Sequence, residues 1–254
     1  MLKTLIDSKH SSYMLPIITT VVLLVLWESV VRLFSIPAFI LPAPSAIFAE
    51  IGPWGGVVTR NALITLNTTM LGFFLALLAG VFLGFMIGFS RMAYLTLNPL
   101  LIGFNTVPKV ALVPLMAIWF GIGTVPAVIT AFLLAFFPIA VNVAIGLATV
   151  EPEMRDVLVS LGASKIEVFQ KVGFPHTMPY LFASLKVAVS QAFIGSVIAE
   201  TVASNGGIGY VILNASSNFR VPLAFLALLA LAVMGIALYG FFAVLESRLV
   251  HWVR

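Results

Sequence analysis

The chain has 254 residues, of which 61% are hydrophobic and only 9% are charged, and its mean hydropathy is +1.16. This apolar share is far above that of a soluble domain, and several apolar runs exceed the roughly 20 residues that span a bilayer core of about 30 Å, so the composition predicts an all-α polytopic membrane protein. The formal charge of +4 is typical of basic cytoplasmic loops rather than of nucleic-acid binding, and a chain without cysteine excludes disulfides and thiol-based metal sites.

Six transmembrane helices are predicted from the apolar runs, over about residues 14–34, 61–89, 95–120, 125–148, 178–203 and 222–245. The first run follows basic residues, as in a signal peptide, but it contains Trp27 and Glu28 and lacks a clear small-residue cleavage site. We therefore interpret it as a retained span, in which Glu28 is expected to pair with Arg32 one turn later. We divide the chain into residues 1–60, with the first span and an external loop, and residues 61–254, with a core of five spans.

The loop between the first two spans is interrupted by helix-breaking residues: Pro37, Pro42, Pro44, Gly52, Gly55 and Gly56. We predict that it contains a short amphipathic helix that starts after Pro44 and lies along the membrane surface, with Ser45 as a candidate cap. In the second span, Gly80, Gly84 and Gly88 recur every four residues. Small residues at this spacing let helices approach closely in lipid, so this glycine ladder predicts helix packing.

The third span contains polar and helix-breaking residues at membrane depth: Pro99, Asn105, Thr106, Pro108, Lys109 and Pro114. Such a broken helix must be buried in protein or line a water-filled path. Lys109 is either a structural cation, bonded to a carbonyl or snorkelling, or a cation that lines the pathway and favours an anionic substrate. The candidate pathway residues of the third, fourth and fifth spans are Asn105, Lys109, Asn142 and Gln191.

The segment 150–180 is a polar island between two apolar spans, and it holds four of the nine acidic residues, Glu151, Glu153, Asp156 and Glu167. Six spans place both termini on one side of the membrane. With the termini inside, the inner segments hold eight basic residues against three outside, which predicts cytoplasmic termini and a cytoplasmic polar island suited to docking another protein. The inner residues are Lys3, Lys9, Arg91, Arg155, Lys165, Lys171, Arg248 and Arg254, and the outer ones are Arg32, Arg60 and Arg220.

Sequence patterns for catalysis or cofactor binding are missing. His10, His176 and His251 are scattered, no two acids form an intramembrane pair, and neither an HExxH, a Ser–His–Asp nor a GxxxxGK[ST] pattern occurs. The chain therefore has no P-loop of its own, and the lone GGIG at 206–209 lacks the strand context of a nucleotide fingerprint. The interpretation that remains is a protein that forms a pathway through the membrane and carries a docking loop. The alternatives are an intramembrane enzyme or scaffold and an ATP-independent channel or carrier.

The polar island resembles a segment of a known family. The run DVLVSLGASKIEVFQKVGFPHTMPYLFASLKVA is similar to the EAA loop of ABC importer permeases, which have the type I importer (MetI-like) fold. Asp156 stands for the acid of the motif, Gly162 for its glycine and Pro175 for its proline, whereas Val157 and Leu158 replace two alanines.

Segments across nearly the whole chain look like the nitrate, sulfonate and taurine branch of that family: LPAPSAIF at 41–48, VPKVALVPLMAIWFGIG at 107–123, FFPIAVNVAIGL at 136–147 and AETVASNGGIGYVI at 199–212. The branch also includes permeases for thiamine pyrimidine precursors, riboflavin and phthalate-type compounds, toward which VPK and GGIGY lean. These motifs are specific for the family and weakly specific for the substrate.

In this family the EAA loop is a helix–turn–helix whose coupling helix sits in a groove of the ATPase subunit. The resemblance implies that Gly162 makes a sharp turn, that Ser164 or Ala163 begins the following helix with Glu167 in its first turn, and that Phe169 anchors the apolar face. The implied docking residues are Asp156, Gly162, Ala163, Ser164, Glu167, Val168, Phe169 and Pro175.

The resemblance also implies the function and the partners. The chain would be the permease subunit of a bacterial ATP-driven importer in the inner membrane, and would work as a homodimer with two ATPase subunits that bind ATP and Mg, with no cofactor in this chain. An external solute-binding protein would deliver a small organic or inorganic anion, such as a sulfonate, taurine, nitrate or an aromatic carboxylate. The alternatives are a thiamine pyrimidine precursor or riboflavin-like heterocycle in the same importer class, and an ATP-independent carrier.

Overall fold

The computed structural model describes residues 11–250, with side chains from residue 14 onward, and every regular element in this range is helical. Predictions that concern His10, His251, Lys3, Lys9 and Arg254 lie outside the described residues. The helices are α1 Ser11–Leu33, α2 Pro44–Ala49, α3 Ile51–Gly88, α4 Arg91–Asn105, α5 Val113–Phe120, α6 Thr124–Ala148, α7 Pro152–Ser160, α8 Lys165–Val168, α9 Phe174–Ala203, α10 Ile208–Ser217 and α11 Val221–Leu249. A 3-10 turn, Lys109–Leu112, precedes α5, and a π-helical turn, Phe169–Gly173, joins α8 to α9.

The predicted membrane architecture is confirmed in the described part of the chain. Five helical stretches are long and apolar enough to cross a bilayer, and the number is six when α4 and the Lys109–Phe120 segment, which are bent by 68° at a short break, are counted as one span. The bend falls at Thr106–Pro108, where proline lacks the N–H that would continue the helix. Pro99, by contrast, lies inside α4 without ending it.

Two predicted boundaries are wrong. The second span begins at Ile51 rather than near residue 61, so Gly52, Gly55 and Gly56 lie inside α3 and do not loosen the chain. Pro53 is accommodated because the first turn of a helix does not need its N–H, and each glycine costs only about 1 kcal/mol of helix propensity. The fifth span does not begin near residue 178 either, since helical backbone runs from Lys165 to Ala203 without a break.

The described chain forms two compact units: residues up to Thr59 with Val211–Leu229, and Arg60–Tyr210 with the residues from Ala230 onward. In the second unit, α6 and α9 are in extensive contact. Its core is built from apolar side chains of α3, α6, α9 and α11, among them Phe73, Ile139, Val143, Val189 and Phe242.

The glycine ladder of α3 packs against α6, which confirms the predicted role. A Cβ built on Gly80 would lie 2.9 Å from Cβ of Ile139, and one on Gly88 would lie 2.7 Å from Cβ of Leu147. Between them, a Cβ on Gly84 would lie 2.6 Å from Cβ of Val143. These distances leave no room for a side chain at the three glycines, so side chains of α6 pack directly against the backbone of α3.

We expect Gly84→Ala to destabilise the protein by about 1–3 kcal/mol, because the added methyl group forces two packed helices apart. The added atom would also lie 2.8 Å from the carbonyl oxygen of Ala140, which cannot move without the backbone of α6. Gly240→Ala is the matched control, since no atom lies within 4 Å of its Cβ position in α11. Thermal unfolding in detergent measures both variants, and equal unfolding temperatures would contradict the packing role.

In the first unit, the predicted Glu28–Arg32 pair is confirmed. The carboxylate of Glu28 also accepts the backbone N–H of Ser45 at 3.0 Å and its hydroxyl at 2.7 Å. The prediction that Ser45 caps α2 is therefore wrong: the N-cap is Ala43, which makes no side-chain bond. Glu28 does the capping instead, because a carboxylate is stabilised by the free amides at a helix N-terminus.

Candidate functional site: the EAA loop and the broken third span

The EAA loop is built around the end of α7 at Gly162. The Gly162 amide donates to the carbonyl of Val159 at 2.9 Å, and the Ala163 amide donates to that of Leu158 at 3.0 Å. This is the Schellman pattern of a helix C-terminus, which needs a residue with positive φ at the position after the C-cap. Gly162 has φ of +84°, as expected for a glycine at a sharp turn.

The helix after the turn begins with a complete capping box. The hydroxyl of Ser164 accepts the amide of Glu167 at 3.3 Å, and the carboxylate of Glu167 accepts the amide of Ser164 at 2.8 Å. Two otherwise free amides are satisfied in this way. Both ends of the turn are therefore fixed by local chemistry, and Ser164 rather than Ala163 begins the helix.

The fixed turn presents apolar side chains to water, which we call the loop surface: Met154, Val157, Val159, Leu161 and Ile166. Leu161 is 78% exposed and Ile166 is 68% exposed, on opposite sides of the glycine turn. The charged side chains of Glu153, Arg155, Asp156 and Lys165 are exposed in the same loop. Several exposed apolar side chains in a loop that also carries exposed charges are typical of a protein interaction site.

The predicted aromatic anchor of the loop has a different position. Phe169 is half-buried, and its ring packs against Phe89, just after α3, and Phe85 of α3 at centroid distances of 4.9 Å and 5.4 Å. Val168 is half-buried too, and Pro175 lies in the first turn of α9. Phe169 thus ties the loop to the membrane helices, while Leu161 and Ile166, which were missed from sequence, provide the exposed apolar area. The sequence signal that could have identified these two residues is that they are apolar within a charged segment.

The structure brings Asn105 and Lys109 together at the break of the third span. The Lys109 ammonium donates to the carbonyl oxygen of Asn105 at 3.1 Å and to its side-chain oxygen at 2.9 Å. It also lies 4.5 Å from the centre of the Phe137 ring, and the residue is only 8% exposed. Hydrogen bonds and the ring face together satisfy a cation that lipid would not tolerate. Of the two alternatives for Lys109, this geometry supports the structural one.

The other two pathway candidates lie on α6 and α9. Asn142 is half-buried and donates to the carbonyl of Pro138 on its own helix at 2.8 Å. Gln191 is half-buried on α9. Among residues 11–250, no group of three or more His, Asp or Glu side chains is placed to hold a metal ion.

A known family matches this arrangement and sequence. Residues 76–251 match the family described as "Binding-protein-dependent transport system inner membrane component". The chain belongs to this family. It is a permease subunit of an ABC importer, as the EAA loop predicted, and not an enzyme: ATP hydrolysis belongs to the ATPase partner.

Curated relatives agree with the assignment of the chain to this family, and a solved structure has a similar fold. It is 31% identical to a probable ABC transporter permease protein of Haemophilus influenzae over 88% of this chain and 91% of the relative. It is 33% identical to the riboflavin transport system permease protein RibX of Chloroflexus aurantiacus over 92% and 88%. The fold is similar to a chain of the inward-facing MetNI methionine ABC transporter, with a TM-score of 0.66 at 19% identity over 80% of this chain and 98% of that chain.

The family match excludes the two other function classes considered from the sequence, an intramembrane enzyme and an ATP-independent carrier. It also confirms the MetI-like fold and the multi-pass membrane character predicted from sequence. The match begins at residue 76, within α3, so α1 and α2 lie outside it.

Proposed function

We propose that the permease is driven through its EAA loop, which docks an ATPase subunit that binds ATP and Mg. The observation that carries this proposal is the pair of exposed apolar side chains, Leu161 and Ile166, held on a turn that is fixed on both sides. A rigid apolar projection loses little conformational entropy on binding, which favours tight association. Because helical backbone continues from Lys165 to Ala203, a push on the loop moves α9 directly.

We propose that the permease lies in the inner membrane of a bacterium, with the EAA loop and both termini on the cytoplasmic side. Eight lysine and arginine residues then lie in inner segments against three in outer ones, as the positive-inside rule requires. This orientation puts the loop surface where a soluble ATPase can reach it. An external solute-binding protein would dock at the opposite face.

We infer that the permease works as a homodimer with two ATPases. Asn105 and Thr106 are exposed in the single chain at the break of the third span, and the backbone there is not helical. Polar side chains and irregular backbone at membrane depth must be covered by protein or line a water-filled path. A second copy that faces this break would cover it with protein and would enclose a water-filled path between the two copies. The candidate residues that line this path are Asn105, Asn142 and Gln191, while Lys109 stabilises the break.

Co-isolation tests the docking and the dimer in one experiment. When two differently tagged copies are expressed with the ATPase, we expect each tag to isolate the other copy and the ATPase. Leu161→Asp should reduce the bound ATPase by at least about tenfold, because a charge replaces the most exposed apolar contact and truncating a central apolar anchor costs about 2 kcal/mol or more. Ser160→Asp adds the same charge at the neighbouring exposed position and should leave the ATPase bound. Equal loss in both variants would contradict the loop surface as the docking site.

For the substrate, we propose a small organic or inorganic anion such as a sulfonate, taurine or nitrate. Relatives at 28–29% identity include an aliphatic sulfonates permease of Bacillus subtilis and a taurine permease of Escherichia coli. Lys109 adds no support, since Asn105 already occupies its ammonium group. The second candidate is a heterocycle, favoured by the 33% identity to RibX. A thermal-shift ligand screen on the external binding protein decides between the two classes.

A further inference from the structure

A buried carboxylate lies at the end of α9 that is opposite the EAA loop. Glu200 is 1% exposed, and its Oε2 accepts the hydroxyl of Thr65 at 2.8 Å and the amide of Gly209 at 3.1 Å. Its Oε1 lies 3.2 Å from the hydroxyl of Thr68 and 3.4 Å from that of Ser196. Polar groups of α3, α9 and α10 therefore surround the buried acid, and the hydroxyls of Thr68 and Ser196 are also bonded to each other at 2.6 Å. Such partners are the condition for keeping an acid inside a membrane protein.

Three amides at the start of α10 are bonded to side chains of other helices. The Gly207 amide donates to Oδ1 of Asn61 at 2.8 Å, and the Ile208 amide donates to the hydroxyl of Thr65 at 2.8 Å. The Gly209 amide donates to Glu200. These three consecutive amides are among the donors that a helix cannot satisfy internally. A carboxylate at this position also has the favourable sign for the helix dipole.

The glycines of this segment are required by the approach of Glu200. Gly207 has φ of +95°, and a Cβ added there would overlap the Glu200 carboxyl group. A Cβ on Gly209 would overlap the carbonyl oxygen of Val197 and lie 2.8 Å from Cβ of Glu200. The GGIG motif, which is no nucleotide fingerprint, is thus the shape that lets a helix start against a buried acid.

Thr65, like Glu200, connects all three helices. It belongs to α3, its hydroxyl donates to Glu200 of α9, and the same oxygen accepts the first-turn amide of Ile208. Removing this hydroxyl leaves a buried amide without its partner, which costs more than the loss of an average hydrogen bond. Thr69 offers a comparison, because it is equally buried on α3 and its hydroxyl meets no hydrogen-bond partner among the described residues.

We propose that Glu200, together with Thr65, is a positioning residue of the transport cycle. It fixes the first turn of α10 to α3 and α9, so that movement of α9 is carried into the glycine-rich segment Ser204–Gly209. The helical backbone from Lys165 to Ala203 connects this link to the EAA loop. In this respect the inference rests on the proposed drive through that loop, although the link itself is a property of the chain alone.

Thiol labelling tests the link without ATP. The chain has no cysteine, so Ile208→Cys gives a single thiol at a residue that is 0% exposed. In membranes that contain the full chain and its ATPase partner, we expect N-ethylmaleimide to label this reporter slowly. Labelling should speed up about tenfold or more in Thr65→Val and Glu200→Ala, since the first turn loses a buried partner. Thr69→Val, the matched control, should stay within about twofold of the parent because no hydrogen bond is removed.

Glu200→Gln separates positioning from general stability. The amide oxygen can face Gly209 and Thr65, and the amide nitrogen can donate to the hydroxyl of Ser196 or Thr68. We therefore expect labelling close to the parent, and ATP-driven uptake within about threefold of wild type, whereas Thr65→Val loses about tenfold in maximal uptake at unchanged permease amount. The concentration of loaded binding protein needed for half-maximal uptake should not change.

Three outcomes would overturn the proposal: parent-like labelling in Glu200→Ala, equal labelling in Thr65→Val and Thr69→Val, or normal uptake in a Thr65→Val permease whose reporter is labelled fast. If Glu200→Ala does not accumulate in the membrane, the Thr65 and Thr69 pair still decides. If wild-type uptake does not depend on ATP, the proposed drive through the EAA loop fails, while the labelling rates continue to measure the link.

Discussion

Gly162→Val is expected to lower ATP-driven uptake by about fivefold or more, because a β-branched residue in the left-handed region costs about 1–3 kcal/mol. Open space surrounds the Cβ position of Gly162, so no clash with a neighbour enters the result. The cost comes from φ of +84° alone. To avoid it, the turn must give up the Gly162–Val159 and Ala163–Leu158 hydrogen bonds, and Leu161 then no longer projects in a fixed direction.

Gly162→Asn provides the matched control at the same position. Asparagine has a side chain of similar size but adopts positive φ several times more readily than other non-glycine residues. Uptake in this variant should stay within about threefold of wild type, because the strain is small. Uptake into proteoliposomes and ATP hydrolysis by the assembled transporter measure both variants. Normal ATP-dependent uptake with valine at this position would refute the docking assignment of the EAA loop.

Lys109→Met is expected to lower maximal uptake by about tenfold, because loss of the donor leaves polar atoms of Asn105 unpaired at a cost of about 1–3 kcal/mol. Methionine preserves the apolar stem beside Phe137 and removes both the charge and the hydrogen bonds. The break of the third span then loses the contact that joins its two sides. The effect should fall on the maximal rate rather than on the concentration of loaded binding protein.

Lys109→Gln distinguishes support of the break from recognition of an anion. Glutamine removes the charge but retains an N–H donor that can reach Asn105. If Lys109 supports the break, this variant should recover most of the uptake that methionine loses. If instead Lys109 binds an anionic substrate, both neutral variants should lose uptake equally, and that result would contradict the structural role.

Local chemistry was the part of the site that sequence predicted well. Gly162, Ser164 and Glu167 lie within six residues, and each acts through backbone bonds to its immediate neighbours. Such motifs depend on short-range geometry, which is the same wherever the residues occur. The glycine ladder was predicted for a related reason, because a repeat of small residues leaves few alternatives to close helix packing.

The parts that sequence missed depend on residues far apart in the chain. Phe169 was predicted to anchor the loop on a partner, and its half-buried ring packs against Phe85 and Phe89 of its own chain, neighbours that nothing in the local sequence reveals. Glu200 finds Thr65 across 135 positions. The early start of α3 has a local cause instead, since Pro53 lies in the first turn, where no N–H is needed, and each glycine costs only about 1 kcal/mol.

The glycine ladder restricts how α3 and α6 can move past each other. Gly80, Gly84 and Gly88 stand opposite Ile139, Val143 and Leu147, and both series repeat every four residues. A slide of one repeat, about 6 Å at 1.5 Å per residue, brings side chains back into glycine gaps. A slide of half that distance places them against the bulkier residues between the glycines. We therefore expect any sliding motion along this contact to occur in discrete steps of one four-residue repeat. The two helices either keep their register or shift it by a whole repeat.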